Sequence, residues 1–509
     1  MPTWSLRLPF GVGRKPLWAP ERMAWTRVDW IGLGLVTMGV WTLWCSLASK
    51  AQDRIQTLKT VEGYAIAVYD QLVWNFAFNG VWRQTIHFGY DDTWNWSGHF
   101  ALWIFPIAWL YRAFPGPTTL VWAQTAAVAC GGIPMYFLAR RAFGARPAGL
   151  LAALAYLCWP ALWAVALADY QDLVLGVPFL IAAYAMSQSG RAVPAAIFAL
   201  LTCAAREEWL FVTPFVALAA PGGFREKSRQ GAVLGLALVP YLAFLVSMRV
   251  AATAHSQHDT PLLQQLHQFT RWPPPFTRTY VDVRWFYAHF LEPFGWLAVF
   301  NPMTAVPTAL SWFTHACSPP QGGVETRWLG HVHHMAPICA MLAVGATLGA
   351  ARVWRWTRGL WGPAPFLPAP RGLAFARRMA GVAVAMGVVG CVAWAAADTA
   401  RVMPWLRLGL HVTPYGNAAR APEWGLLEQH VPPYATIATD TDAALMVSSR
   451  QTSYTYDESL QEKSRNRNLA AVQFVLVRKT DTAWVARIQH WNGAQKLGET
   501  TTYELYRLN

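Results

Sequence analysis

Three consecutive ionisable residues, Arg206-Glu207-Glu208, interrupt a stretch from Ala192 to Phe224 that otherwise carries no formal charge. Charges inside an apolar run are costly in a bilayer, so they call for a polar partner, a water-filled cavity or a function. A carboxylate in such a place can take a proton from a hydroxyl. An arginine can steady a departing anion through charge-assisted hydrogen bonds. A second acid, Asp70, heads the aromatic segment Tyr69-Asp70-Gln71-Leu72-Val73-Trp74-Asn75, and Trp82, Trp94, Trp96, His99 and Trp103 follow it. An acid held above a membrane among tryptophans can deprotonate an acceptor hydroxyl, and rings such as Trp74 can stack on sugars. Further polar groups are Asp169-Tyr170-Gln171-Asp172 and His333-His334. The histidine pair could contact a phosphate or simply begin a helix. Asp91-Asp92 could hold a divalent metal through oxygen ligands, or be solvated loop acids.

These residues sit in a strongly apolar chain. Hydrophobic residues make up 54% of the sequence and charged ones 13%, against about 25% charged in soluble domains. Windows near the ~20 residues needed to span a bilayer are Trp30–Ser49, Pro117–Ala139, Pro147–Ala168, Gln230–Met248 and Met379–Ala397, none with a formal charge. Leu173–Gly190 and Met335–Ala351 are less continuous. The apolar runs do not alternate, which excludes a β-barrel pattern. The fold class expected is an α-helical polytopic membrane protein.

The excess positive charge, +14 overall, falls in blocks: before the first span (Arg7 to Arg27), at Arg140-Arg141 and Arg146, at Arg225 to Arg229, and from Arg352 to Arg378. By the positive-inside rule these blocks are cytoplasmic, so the charge reflects topology and anionic lipid and not nucleic-acid binding. Residues 1–28 form a cytoplasmic segment and 29–397 the membrane region, with a long first outer loop over 50–116. His99–Tyr111 is too short to span and is expected along the interface. One helix across Ala192–Phe224 would bury the charged triplet at mid-bilayer. Two short segments meeting at the triplet place it at the outer face and keep Arg225–Arg229 inside, and this arrangement is adopted. About 11 spans result, which places ten of the 13 histidines in or beside outer loops.

From about residue 398 the composition becomes that of a soluble module, predicted to lie outside the cytoplasm. Strands are predicted at Ala435–Thr439, Val472–Val477 and Thr501–Arg507, with helices at Pro422–His430 and Thr482–His490, giving a small α/β domain. The seven cysteines lie in or beside apolar runs without metal-ligand spacing and are read as packing residues. Gly131-Gly132 is read as close helix packing. No Gly-rich phosphate loop followed by Lys is present, which disfavours nucleotide hydrolysis.

The stretches Tyr69–Asn75, Gly98-His99-Phe100, Ala168–Asp172, Arg206-Glu207-Glu208, His333–Pro337 and Val431–Ala435 resemble the C-type glycosyltransferase superfamily. That group includes the mannosyl- and arabinosyltransferases that use polyprenyl-phosphate sugars. More closely, they resemble an uncharacterised bacterial polytopic membrane protein family related to that superfamily. The resemblance implies a polyprenyl-phosphate-linked sugar as donor; no cofactor is expected beyond the divalent metal that Asp91-Asp92 could hold. It implies a general-base role for Asp70 and substrate or metal contacts for Asp169 and Glu207, at the outer face of a bacterial inner membrane. Gly98-His99-Phe100 departs from the His-Pro-Pro type sequence common there, which leaves the role of His99 open. In the mechanism read from these residues, Asp70 activates an acceptor hydroxyl, Glu207 assists, and Arg206, His333 or His334 steadies the leaving phosphate. Asp172 and Trp74 join the substrate contacts. Two other readings stand beside it: a lipid or solute transporter lined by the charged triplet, and a non-catalytic partner in envelope assembly.

Overall fold

A computed structural model describes residues 25–58, 63–86, 99–253, 297–298, 300–301, 303–309, 336–361, 420–440, 442–450, 453–456, 472–491 and 493–508. The N-terminal segment, Met379–Ala397 and the loop around Pro273-Pro274-Pro275 lie outside them. The first span is realised as α1, Arg27–Gln56. At 30 residues it is about 45 Å long, which exceeds a ~30 Å hydrocarbon core. Its start is fixed by Thr26, whose backbone N–H and hydroxyl donate to Asp29 Oδ2 at 2.8 and 3.0 Å. Those bonds satisfy groups that a helix start otherwise leaves unpaired.

Next come α2 (Gly63–Asn79) and α3 (Ile104–Ala113), then α4 (Pro117–Cys130) and α5 (Gly132–Phe143), which together form one candidate span. A Cβ on Gly131 would stand 2.1 Å from the Tyr156 hydroxyl, and that hydroxyl donates to Val128 O at 2.7 Å. Gly131 is therefore small because a neighbouring helix rests on it. The pair α6 (Arg146–Leu157) and α7 (Pro160–Leu167) is bent by 51° at its break. Short apolar helices α8 (Val177–Gln188) and α9 (Ala192–Cys203) follow, then α10 (Phe224–Thr253) and the helix Ala336–Trp361. Among the described residues four helices are long and apolar enough to cross a membrane, or five with the bent pair counted. Among the described residues Leu236 and Val239 on α10 are exposed.

Polar contacts assign the helix termini to two ends of the bundle. At one end Asp29 is fully buried between Arg140 (2.6 Å) and Arg146 (3.3 Å). Arg141 donates to Gln188 O, and Gln188 donates to Ala219 O at 2.6 Å. At the opposite end the Leu102 N–H donates to Ala204 O at 2.8 Å. So α9 runs from the arginine-rich end up to Ala204. The 3-10 segments Glu207–Phe211 and Thr213–Ala219 bring the chain back. Arg206-Glu207-Glu208 stands at the apex, and Arg225–Arg229 begins α10 at the basic end.

The described C-terminal elements form a five-stranded sheet of order β2-β1-β3-β5-β4. Its strands are β1 (Ile437–Thr439), β2 (Ser453–Thr455), β3 (Phe474–Arg478), β4 (Gln495–Glu499) and β5 (Tyr503–Arg507). β1 is parallel to β2 and β3, while β5 is antiparallel to β3 and β4. Side chains alternate between the faces, so Ile437, Leu476 and Leu505 pack on one side and Ala438, Val475 and Tyr506 on the other. The helices Pro422–His430 and Thr482–Gln489 lie where the sequence predicts them. β2 and β4 carry no long apolar run, and sequence reasoning passes over both.

Candidate active site at the loop end of the bundle

α2 is not among the candidate spans. It presents Asp70 with no exposure at all. Tyr111 on α3 donates its hydroxyl to Asp70 Oδ1 at 2.6 Å. Ser448 and Ser449, from the C-terminal module, donate to Oδ2 at 2.7 and 2.6 Å. Burial pushes this carboxyl up to about 6, while the three hydroxyl bonds hold it back. Among the described residues the hydrogen-bond partners of Asp70 are hydroxyls, while Trp94 and Trp96 lie outside the described residues. Trp74, one turn on, packs its ring near Phe78 at 5.6 Å and against the apolar core.

Gln71, also fully buried, fixes the register between the loop and the sheet. Its amide oxygen accepts from the Thr85 and Ile86 N–H groups at 2.7 and 3.1 Å. Its amide nitrogen donates to Thr85 Oγ1 and Ser453 Oγ, each at 3.1 Å. Thr85 Oγ1 donates to Ser453 O at 2.6 Å, and Thr455 Oγ1 donates to Ile86 O at 3.1 Å. The C-terminal module is therefore seated directly on the first loop.

A second cluster forms on the neighbouring face of α2. The Tyr69 ring meets Tyr170 edge-on at 5.2 Å, and Tyr69 is coupled electrostatically to Asp172 and Arg206. Arg206, 2% exposed, lies 3.6 Å from Asp172 Oδ1 and 3.4 Å from Glu208 Oε1. It also donates to Gln171 Oε1 at 3.3 Å. Two carboxylates already offset its charge, so Arg206 braces the cluster internally. Beside it, His99 Nδ1 sits 3.1 Å from Glu207 Oε1, and the Phe100 N–H donates to Glu207 Oε2 at 2.8 Å. This pair is the more open part of the cluster, with the His99 side chain 25% and that of Glu207 12% exposed.

The Asp169–Asp172 loop is held from below by Gln124 of α4. Its amide donates to Ala166 O and Ala168 O at 3.1 and 2.8 Å and accepts from the Gln171 N–H at 2.7 Å. Asp169 itself faces Arg54 at the end of α1, 4.0 Å away. The structure thus gathers Asp172, Arg206, Glu207, Glu208 and His99 into one cluster. Asp70 belongs to a separate network whose partners are Tyr111, Ser448 and Ser449. His333, His334, Asp91 and Asp92 lie outside the described residues. Among the described residues no group of three or more His, Cys, Asp or Glu side chains is placed to hold a metal ion.

Gln71, Tyr111, Gln124 and the serine pair are absent from the sequence-based site. Gln124 could have been found, because it is the one side-chain amide in the uncharged run Pro117–Ala139. Ser448 and Ser449 carry no such signal.

Residues 54–507 match DUF2079, described as a predicted membrane protein. The chain belongs to this family. No curated protein matches the sequence. Among solved structures, ArnT from Cupriavidus metallidurans bound to undecaprenyl phosphate superposes with a TM-score of 0.56 at 12% identity, covering 95% of this chain and 98% of ArnT. The apo ArnT structure gives a TM-score of 0.46 at 12% identity, covering 87% of this chain and 93% of ArnT. The Archaeoglobus fulgidus oligosaccharyltransferase tethered with an acceptor peptide gives 0.40 at 11% identity, with coverages of 88% and 69%. This DUF2079 chain is a helical membrane protein with an ArnT-like fold and a small C-terminal sheet.

Proposed function

We propose that this DUF2079 protein is a membrane glycosyltransferase that moves a sugar from a polyprenyl-phosphate donor to an acceptor hydroxyl. The reaction takes place at the outer face of a bacterial inner membrane. The observation that carries the reading is the shared fold: 95% of the chain follows the ArnT structure that holds undecaprenyl phosphate. In support, the acids and His99 collect at the bundle end opposite Arg140, Arg141 and Arg146.

Asp70 acts as the base. It takes the proton from the acceptor hydroxyl as that oxygen bonds to the anomeric carbon, and the carbon–oxygen bond to the lipid phosphate breaks. A carboxyl near 6 ionises below neutral pH and still accepts a proton readily. His99, oriented by Glu207, stands at the partly open side of the second cluster and donates to the leaving phosphate. Asp172 and Arg206 hold that pair in place, Asp169 anchors the adjoining loop through Arg54, and Trp74 lines the apolar wall.

The test is Asp70→Asn in membranes supplied with labelled polyprenyl-phosphate sugars. Sugar transfer is expected to fall at least 100-fold with the protein still inserted. Unchanged transfer removes Asp70 as base. The transporter reading has less support, because every described member of the charged triplet is tied into local contacts rather than lining an open path.

A further inference from the structure

Asp70 is reached by the C-terminal module as well as by its own loop. Its Oδ2 accepts both Ser448 and Ser449 at 2.7 and 2.6 Å, short charge-assisted bonds. The Ser449 hydroxyl also lies 3.3 Å from that of Tyr111. A base that takes a proton from an alcohol needs that hydroxyl at the same distance and in the same lone-pair direction. Ser449 thus already occupies the position that the proposed chemistry requires of an acceptor.

The two serines differ in how firmly they are held. Ser448 is fully buried and its hydroxyl also lies 2.9 Å from Leu445 O, sharing its one proton between the two acceptors. Ser449 is only partly buried and stands at the edge of the interface. Behind them, the Gln71–Thr85–Ser453 network fixes the module to the loop independently of Asp70. A latch at the carboxylate and a seat a few residues away are the parts of a closing device.

We propose that the C-terminal module is a lid on Asp70: Ser448 and Ser449 stand in the place of the acceptor alcohol, and the acceptor enters by displacing them. This rests on Asp70 being the base. The lid sets which acceptors react, since only a hydroxyl able to replace a serine hydroxyl on Oδ2 gains access. It also keeps a dry, activated carboxylate from delivering the sugar to water.

Two measurements test it. Ser453 is fully buried on the face of the lid that meets Gln71 and Thr85, so maleimide labelling of Ser453→Cys in the full-length protein, corrected for the native cysteines, reports opening. Ser448→Ala with Ser449→Ala, and separately Asp70→Ala, are expected to speed that labelling at least tenfold. Equal rates in all backgrounds overturn the latch whether or not transfer is seen. Thr85→Cys with Ser453→Cys closes the seat by a disulfide. The oxidised protein is expected to lose at least 90% of transfer from a labelled polyprenyl-phosphate sugar, and reduction is expected to restore it. Full transfer while locked, with Asp70→Asn inactive, overturns the lid and leaves the base. Transfer that survives Asp70→Asn overturns the base, and with it the lid.

Discussion

Tyr69 and Asp70 are adjacent on one helix yet serve two different polar networks. Neighbouring helix positions diverge by about 100°, so Tyr69 turns to Tyr170, Asp172 and Arg206 while Asp70 turns to Tyr111, Ser448 and Ser449. α2 therefore contributes to a cluster built within the bundle and to one shared with the C-terminal module.

The charge state of Asp70 gives the first prediction. Burial raises its carboxyl to about 6 from an ordinary 3.8. The folded protein therefore binds this proton more tightly than the unfolded chain does. The linked stabilisation is fully present below about 4 and is lost as pH rises through about 6, on the order of 3 kcal/mol in all. Global stability should fall over that window, checked by the unfolding midpoint in detergent against pH. Transfer should show the opposite trend, with kcat/KM rising through a limb near pH 6 as the base ionises. A flat profile, or a limb that persists in Asp70→Asn, would exclude Asp70 as its origin.

The His99–Glu207 pair is the second test. Glu207→Gln keeps an acceptor for the Phe100 N–H but removes the charge opposite His99 at 3.1 Å. Transfer should drop roughly 100-fold, within the range for a lost acid–base group, with little change in thermal stability. His99→Ala should match it, and the double variant should be no worse than either alone. Additive losses would show that the two residues act separately.

Gln124 offers a test of positioning. Three bonds from one buried amide hold the loop that carries Asp169 and Asp172. Gln124→Leu leaves two carbonyls and one N–H of that loop without their partner. The cost is about 1–3 kcal/mol for each stranded group, discounted for relaxation. Unfolding in detergent should shift to lower temperature, and the KM for the lipid donor should rise while Asp70-dependent pH behaviour stays. An unshifted midpoint would mean that the loop is held elsewhere.

What the sequence revealed follows from what is local. Long uncharged runs such as Trp30–Ser49 and Gln230–Met248 announce their helices because the bilayer length demands them. Arg206-Glu207-Glu208 announced the turn at the apex because three charges cannot stay at mid-bilayer. Asp70 stood out as an acid at the head of an aromatic segment. Its partners did not, because Ser448 and Ser449 lie far along the chain in a segment with no periodic signal. Gln71 drew no reading of its own within the segment Tyr69–Asn75 and is a joint between two parts of the fold. Met335–Ala351 looked less continuous than other windows, yet Ala336–Arg355 is the most deeply enclosed candidate span. Its small residues suit packing inside the protein better than contact with lipid.

The last prediction concerns orientation. Asp29 is fully buried between Arg140 and Arg146, so the start of α1 and the α5–α6 turn share one end. Lys227 joins that end through Leu218 O at 2.7 Å. Reporter fusions at residues 145, 226 and 365 should all report the cytoplasm, and one after residue 509 the outer side. Asp29→Ala removes the carboxylate that Arg140 and Arg146 share. The variant should therefore insert normally but unfold earlier in detergent. A fusion at residue 226 that reports the outer side would reverse the return of the chain after Glu208. It would then place Asp70, Glu207 and His99 on the wrong side for an externally delivered lipid donor.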